Sequence, residues 1–242
     1  KELAQRVNEL EKTNHELNRF VYSVSHDLRA PIASVLGLIK VSELEVEDPS
    51  AIQLFEKMDT SVTKLDILVN NILDYYKNAK ADADRSRIEV PDLLDEVLDH
   101  LHLSGQLQLS QSHEGDQVLY GDRFRIRVVL SHLLSNAARF KKPDQERAKV
   151  SIQSKVDDQE VVLRVRDEGI GMMKEHVDQI FKMFFRGKQD FAGSGLGLYI
   201  VKEALDKMEG QIEVVTQLGQ GSEFIISLPN RKNEHVHAQA ED

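Results

Sequence analysis

A hydrophobic repeat at the start of the chain constrains its fold more than any other feature. Apolar residues recur there at alternating steps of four and three, which predicts a coiled-coil helix. The repeat consists of Leu3, Val7, Leu10, Leu17, Val21, Val24 and Leu28, with Asn14 at the skipped step. Valine at a positions and leucine at d positions favour a parallel dimer, and a buried Asn14 would fix the register. We therefore expect one helix over residues 1–45 and a homodimer; an amphipathic helix packed on its own domain is the alternative.

His26 lies outside this seam, at an f position of the same register, and Asp27 stands beside it. An exposed imidazole next to a carboxylate can act as a nucleophile. Pro31 follows within five residues and is expected to bend or loosen the helix. Taken alone, the pair is more simply explained as a surface histidine on a charged helix.

A second helix follows the acidic break at residues 47–50. Ser50 and Gln53 form a capping-box pattern that predicts its start. Its apolar residues again step by three and four: Phe55, Met58, Val62, Leu65, Val69, Ile72 and Tyr76. Two such helices predict an antiparallel helical hairpin, and two hairpins would bury both seams in a dimeric four-helix bundle.

The periodicity changes after this hairpin. We place an all-α unit at residues 1–80, a linker at 81–86, a second domain at 87–230 and a loose tail at 231–242. Strand pairs alternate with helices in the second domain, which predicts an α+β sandwich with helices covering one face of a sheet.

Composition excludes several classes of protein. The net charge of −10 and the lack of a basic stripe argue against nucleic-acid binding. The absence of cysteine rules out disulfides and thiol chemistry. The sequence contains no run of about 18 apolar residues, so it predicts no membrane-spanning helix. The chain begins with Lys rather than Met. We therefore expect a fragment of a longer protein from which an upstream part has been removed.

Asp167 is the first residue to indicate a ligand. It is in phase with Val161, Leu163 and Val165, so we expect its carboxylate on the interior face of the strand. A buried carboxylate needs a partner, and Gly169 and Gly171 allow a close backbone approach. A pocket in which Asp167 accepts a hydrogen bond from an amino group of a flat ligand fits this pattern, although a tight turn explains it equally well.

A second glycine cluster, residues 193–198, directly precedes a helix. Backbone amides at a helix N-terminus suit a phosphate chain; a dinucleotide-binding motif fits poorly, because no strand directly precedes the glycines. The segment between the clusters is interpreted as a mobile lid, with a plain loop as the alternative. Its expected apolar anchors are Met172, Met173, Phe181, Phe184 and Phe185.

Asn136 lies in the middle of a predicted helix, Arg123 to Phe140. Its amide oxygen could ligate Mg²⁺, which prefers oxygen ligands shared with phosphates. Arg139, one turn later, could meet the same phosphates. A helical asparagine by itself is more often a surface residue.

The order of these motifs resembles the catalytic core of the sensor histidine kinases of two-component systems. The stretch 25–31 is similar to the phospho-acceptor box of that family and 133–137 to its Asn box. The remaining matches are the first glycine box (167–171), the Phe box (181–186), the second glycine box (193–198) and the small last box (219–222).

The resemblance implies a dimerisation and phosphotransfer hairpin followed by an ATP-binding domain of the Bergerat fold. His26 would attack the γ-phosphorus of ATP with Asp27 as the local base, Asp167 would hold the adenine amino group, and Asn136 would hold Mg²⁺. The phosphoryl group would pass to an aspartate of a response regulator. The resemblance also implies an upstream sensor domain that is absent from this chain, and a cytoplasmic location, either as a soluble protein or as the cytoplasmic portion of a membrane-bound sensor. The other ATP contacts would come from Arg139, Phe140, Gly169, Gly171, Arg186, Gly193, Ser194, Gly195, Leu196, Gly197, Leu198 and Ser222.

Two departures from the family pattern matter. His132 stands where the Asn box usually carries a second Asn, which puts metal geometry and pH response in question. Ala30 stands where relatives that also dephosphorylate their partner usually carry Thr or Asn, so we expect weak or absent phosphatase activity. A nucleotide-binding scaffold without catalysis is the alternative that His132 favours. A gyrase-like or chaperone-like ATPase is disfavoured, because His132 is not the water-activating Glu of those enzymes.

Overall fold

The computed structural model describes residues 2–80, 86–101, 103, 105–187 and 194–232. For residues 2–5 and 7–20 the description covers the backbone only. The described residues form two units. The first contains residues 2–80 together with 194–196, and the second contains the rest.

The first unit is a helical hairpin, as predicted. Helix α1 (Glu2–Glu45) and helix α2 (Pro49–Lys80) are joined by a short connection. Helix α1 continues through Pro31, so the expected loosening there does not interrupt it. The second helix is capped by Asp48 rather than by the predicted Ser50. The carboxylate of Asp48 accepts a hydrogen bond from the backbone N–H of Ser50 at 3.1 Å, and Pro49 opens the helix.

The two helices do not pack through the predicted a/d seam. The buried residues in the described part of α1 are Ser25, Ile32 and Ile39, which occupy e positions of the heptad register. Ile32 packs with Val69 and Leu73 of α2. The seam side chains before Val21 lie outside the described side chains. Further along, the a and d positions Val24, Leu28, Val35 and Leu38 are 39%, 42%, 43% and 67% accessible. The hairpin therefore leaves an apolar stripe unburied within a single chain.

The second unit contains two sheets, three α-helices and a short 3-10 helix (Lys174–His176) among its described residues. The helices are α3 (Val90–His100), α4 (Arg123–Arg139) and α5 (Gly197–Lys207). The strands are β1 (Ser86–Glu89), β2 (Leu107–Gly115), β3 (Val118–Gly121), β4 (Ala148–Val156), β5 (Glu160–Asp167), β6 (Gln211–Gln217) and β7 (Gly221–Pro229). The short β1 and β3 pair antiparallel, and the larger sheet has the order β2-β4-β5-β7-β6.

The core lies between the larger sheet and the helices. Strands β4, β5 and β7 alternate buried and more accessible residues, so one face of each contributes to the core. Fully buried residues from the helices, including Leu134 of α4 and Leu205 of α5, join the same cluster. The predicted α+β sandwich is confirmed. The sequence did not reveal β3, nor that β2 runs parallel to β4.

Across the part of the chain that the structure describes, no helix is long and apolar enough to cross a bilayer.

Candidate functional site

His26 projects from the middle of α1. Its side chain is 62% exposed, and Nδ1 lies 3.5 Å from Oδ1 of Asp27. This contact favours the tautomer in which Nδ1 carries the proton, which leaves the lone pair on Nε2 for attack. Tyr22, one turn earlier, lies 6.2 Å from the imidazole and stacks on Tyr76 of α2 at 4.6 Å. His26 is thus accessible to solvent, and the stacking of Tyr22 on Tyr76 packs this part of α1 against α2.

Polar contacts fix the two helices beside this histidine. Arg29 donates a hydrogen bond to the amide oxygen of Asn70 at 3.4 Å, and Asn70 donates to Asp66 at 3.0 Å. Ala30 is exposed one turn after His26, and its backbone carbonyl accepts a hydrogen bond from the hydroxyl of Ser34 at 3.0 Å. The side chain of Ala30 offers only a methyl group.

Asp167 ends β5, and its carboxylate is partly buried. Oδ1 accepts a hydrogen bond from the backbone N–H of Gly169 at 2.8 Å. Burial raises the pKa of Asp167, and the backbone N–H groups of Gly169 and Ser222 counteract part of that rise. Ser222 is the partner of Asp167 on the neighbouring strand β7. The structure therefore brings together two predicted site residues that are far apart in sequence.

The glycines after Asp167 are required by close backbone contacts. A β-carbon on Gly169 would collide with the carbonyl of Phe140, and one on Gly171, where φ is 62°, would collide with the carbonyl of Gln217. The Phe140 carbonyl also accepts a hydrogen bond from the N–H of Ile170 at 3.0 Å. This contact joins the end of α4, the helix that carries Asn136, to the first glycine box that begins at Asp167.

Sequence reasoning missed Thr216 on β6. Its hydroxyl is buried and contacts the N–H of Met172 at 3.0 Å, the carbonyl of Gly221 at 3.1 Å and Oγ of Ser222 at 2.9 Å. The strand register pairs Thr216 with Ser222. The only signal in the sequence is the placement of the two residues on either side of the Gly219-Gln220-Gly221 turn, which permits a cross-strand pair.

Helix α4 carries Asn136, Arg139 and His132. Burial lowers the pKa of Arg139. His132 keeps some accessible surface, but its Nε2 atom is buried, and burial followed by the charge of Arg139 lowers its pKa to about 4. The imidazole is therefore neutral at physiological pH and adds no charge beside Arg139.

Helix α4 offers one oxygen ligand for a metal ion, at Asn136. The described part of the chain has no cluster of three or more His, Asp or Glu residues that could hold a metal ion by itself. The amide oxygen of Asn136 is one hard ligand of the kind that Mg²⁺ shares with nucleotide phosphates.

The second glycine box is divided between the two units, and Gly193 lies outside the described residues. In the first unit, the hydroxyl of Ser194 accepts hydrogen bonds from the side chain of Asn71 at 2.6 Å and from the N–H of Leu196 at 3.2 Å. Gly195 has a φ of 71°. In the second unit, Gly197 begins α5.

The segment between the glycine boxes is only partly anchored by its apolar residues. Met172, Phe181 and Phe185 pack against the core, and Leu198 of α5 does the same. Met173 and Phe184 are instead 39% and 63% exposed, so the prediction that they anchor the segment is wrong for this structure. Phe184 has a φ of 63°, which is strained for a bulky side chain. Arg186 is exposed, and the predicted lid continues into residues 188–193, outside the described residues.

Two family models match the chain. The His Kinase A phospho-acceptor domain matches residues 16–80. The histidine kinase-, DNA gyrase B- and HSP90-like ATPase domain matches residues 121–232.

Individual relatives agree with these matches. The sensor histidine kinase AtsR of Burkholderia thailandensis is 28% identical over 225 residues, which are 88% of this chain and 37% of AtsR. Sensor protein SrrB of Staphylococcus aureus is 32% identical over 232 residues, which are 87% of this chain and 37% of SrrB. The structure of full-length ShkA in complex with AMPPNP aligns with a TM-score of 0.61 at 25% identity and covers 87% of this chain and 45% of ShkA. The chain thus spans less than half the length of these relatives. Its phospho-acceptor and ATPase domains, in the order predicted from its motifs, show that it belongs to the sensor histidine kinase family.

Proposed function

We propose that this chain phosphorylates His26 with ATP and passes the phosphoryl group to an aspartate of a response regulator. The observation that carries the proposal is the presence, in one chain, of an exposed histidine beside a carboxylate and of a partly buried carboxylate, Asp167, within the matched ATPase domain. The phosphotransfer hairpin would occupy residues 1–80 and the ATP-binding domain residues 87–230. Because ATP and response regulators are cytoplasmic, the reaction would take place on the cytoplasmic side.

The chemistry at His26 follows from its contact with Asp27. With the proton on Nδ1, the Nε2 lone pair would form the N–P bond while the bond from the γ-phosphorus to the ADP oxygen breaks. The ring would become cationic as the bond forms, and Asp27, 3.5 Å from Nδ1, would stabilise that charge or accept the proton. Little further acid–base chemistry is needed, because positioning and charge neutralisation dominate phosphoryl transfer.

The nucleotide would be bound by the pocket around Asp167. Its carboxylate would accept a hydrogen bond from the adenine amino group, with Ser222 beside it. Arg139 would supply positive charge toward the phosphates, and Asn136 would hold Mg²⁺, whose contribution is to neutralise phosphate charge. The remaining predicted ATP contacts, in the second glycine box and at Phe140 and Arg186, belong to the same proposal.

A homodimer is part of the proposed function. Val41 and Leu44 of α1 are exposed beyond the a/d seam, and α2 exposes Leu54, Met58 and Leu65. Apolar side chains in such a stripe are typical of helices that pack against a partner. A second copy of the hairpin would bury them in a four-helix bundle, and a receiver domain would be the second partner.

The decisive experiment is incubation of the chain with γ-labelled ATP and Mg²⁺. We expect a labelled protein whose phosphate is lost in acid and retained in alkali. The His26→Gln variant should remain unlabelled, whereas His100→Gln, which alters an exposed histidine at the end of α3, should label normally. Persistent labelling of His26→Gln would overturn the assignment of the phosphorylated residue.

A nucleotide-binding scaffold without catalysis is the second candidate, and the neutral His132 in the Asn box is the observation that favours it. Tight ATP binding without any labelling would select this alternative. Mixed dimers of His26→Gln and Asn136→Asp chains extend the same assay: labelling of the mixture shows transfer between subunits, and its absence shows transfer within one subunit.

A further inference from the structure

Asp167, Ser222 and Thr216 form a row across three neighbouring strands. The register pairs Asp167 of β5 with Ser222 of β7, and Ser222 with Thr216 of β6. Directly paired residues of antiparallel strands project their side chains from the same face of the sheet. Ser222 and Thr216 are both buried, 6% and 9% exposed. The row therefore places two hydroxyl groups in line with the carboxylate that would bind the adenine base.

The hydrogen bonds of Thr216 determine the direction of the bond that it shares with Ser222. A threonine hydroxyl has one proton to donate and two lone pairs to accept with. The carbonyl of Gly221, 3.1 Å away, can only accept, so it takes the Thr216 proton. The N–H of Met172, 3.0 Å away, can only donate, and it uses one lone pair. The hydroxyl of Ser222 at 2.9 Å must therefore donate to the second lone pair.

This arrangement determines what Ser222 offers to a ligand. Its single proton is committed to Thr216, so its oxygen presents only lone pairs. The ionised carboxylate of Asp167 also presents only acceptors, and the hydrogen bonds to it come from the backbone N–H groups of Gly169 and Ser222. The row is thus complementary to a ligand edge that donates protons, such as an exocyclic amine.

We propose that Thr216 is a specificity-determining positioning residue for the purine base. Thr216 accepts the only hydroxyl proton of Ser222, so no side chain of the row donates a hydrogen bond toward the base. The row therefore favours a purine with an amine at C6 over one with a carbonyl there. The inference rests on the proposed function, because it assumes that Asp167 binds the base. Without the Thr216 hydroxyl, Ser222 could donate to a C6 carbonyl, or to Asp167 in competition with the amine. Either change lowers the preference for ATP.

The test compares equilibrium binding of ATP and inosine triphosphate to the whole chain, because the two nucleotides differ at the C6 amine. The measured quantity is the dissociation constant of inosine triphosphate divided by that of ATP. For Thr216→Val, which keeps the side-chain shape, we expect this ratio to fall roughly three- to tenfold, the usual effect of one hydrogen bond. Thr216→Ser keeps the hydroxyl and should keep the ratio. Ser222→Ala removes the hydroxyl that Thr216 is proposed to orient, so adding Thr216→Val to Ser222→Ala should not lower the ratio further.

Each outcome decides a different point. Equal weakening of both nucleotides by Thr216→Val, with no change in ratio, would show a purely structural role and overturn the inference. A further fall in the ratio when Thr216→Val is added to Ser222→Ala would also overturn it. If Thr216→Val does not fold, the same comparison is made with Thr216→Ala. Equal affinity of the unaltered chain for ATP and inosine triphosphate would overturn the inference without any variant. Absence of ATP binding to the unaltered chain would instead overturn the proposed function.

Discussion

The imidazole of His132 lies directly against Gly197, the first residue of α5. A β-carbon at Gly197 would stand 3.3 Å from Nδ1 of His132, so no larger residue fits there without moving the ring. The histidine that departs from the family's Asn box therefore packs beneath the start of the helix that follows the second glycine box. Its depressed pKa keeps it neutral in that position.

Burial of His132 should make the protein sensitive to acid. Its pKa is about 4 in the folded protein, against 6.5 for a histidine exposed to water, so the unfolded state binds the extra proton first. The part of the unfolding free energy that depends on neutral His132 is fully present above pH 6.5. It is lost as the pH falls toward 4, by about 3 kcal/mol at most. The His132→Asn variant should lose this part of the pH dependence in urea unfolding measured from about pH 7 to about pH 4. Parallel profiles of the two proteins would contradict a buried, neutral His132.

Asp167→Asn should stabilise the nucleotide-free protein and weaken its binding of ATP. Burial raises the pKa of Asp167, so its ionised form is destabilising in the folded state, and stability is lost as the pH rises through the folded pKa. Removing the charge should therefore raise the thermal midpoint of the nucleotide-free protein at about pH 7.5. ATP binding should weaken roughly 10- to 100-fold, because a hydrogen bond to a charged group is lost. Asp158→Asn, at a carboxylate that is 82% exposed, is the matched control and should change neither quantity greatly.

Ala30 should limit dephosphorylation of the regulator. Its methyl group, one turn after His26, cannot orient a water molecule. We expect the unaltered chain to leave the decay rate of a phosphorylated receiver domain nearly unchanged, and Ala30→Thr to accelerate that decay. Ala79→Thr, at an exposed site near the end of α2, is the control. Rapid phosphate loss with the unaltered chain would contradict this interpretation of Ala30.

Leu38→Glu should weaken the homodimer. Leu38 is 67% exposed in the single chain, and a symmetric interface would bury it twice. At about 1.5 kcal/mol or more for each buried leucine, the dissociation constant should rise on the order of 100-fold. Sedimentation equilibrium measures this directly. Leu218→Glu, at a residue that is 61% exposed in the β6–β7 turn, should leave the mass unchanged. An unchanged mass for Leu38→Glu would argue against a dimer through this stripe.

Local patterns in the sequence predicted the elements well. The 3–4 periodicity predicted the two hairpin helices, and strict alternation predicted β4, β5 and β7, because each pattern reflects which side of an element is buried. Errors arose where a competing local group or a distant contact decided the outcome. Asp48 caps α2 in place of Ser50, since its carboxylate reaches the N–H of Ser50. Phe184 is exposed although it is aromatic, and no local pattern distinguishes it from the packed Phe185.

The sequence by itself determined which chemical groups this protein has and roughly where each element begins and ends, because those properties depend on neighbours within a few residues. Only the tertiary structure decided which groups meet. Strand β7 lies between β5 and β6, and this order places Ser222 between Asp167 and Thr216. The packing of α1 on α2 likewise decided that e positions are buried within the hairpin, while the a/d positions from Val24 to Leu38 remain accessible. Both outcomes depend on contacts between segments far apart in the chain, and the periodicity of one segment carries no information about its distant partner.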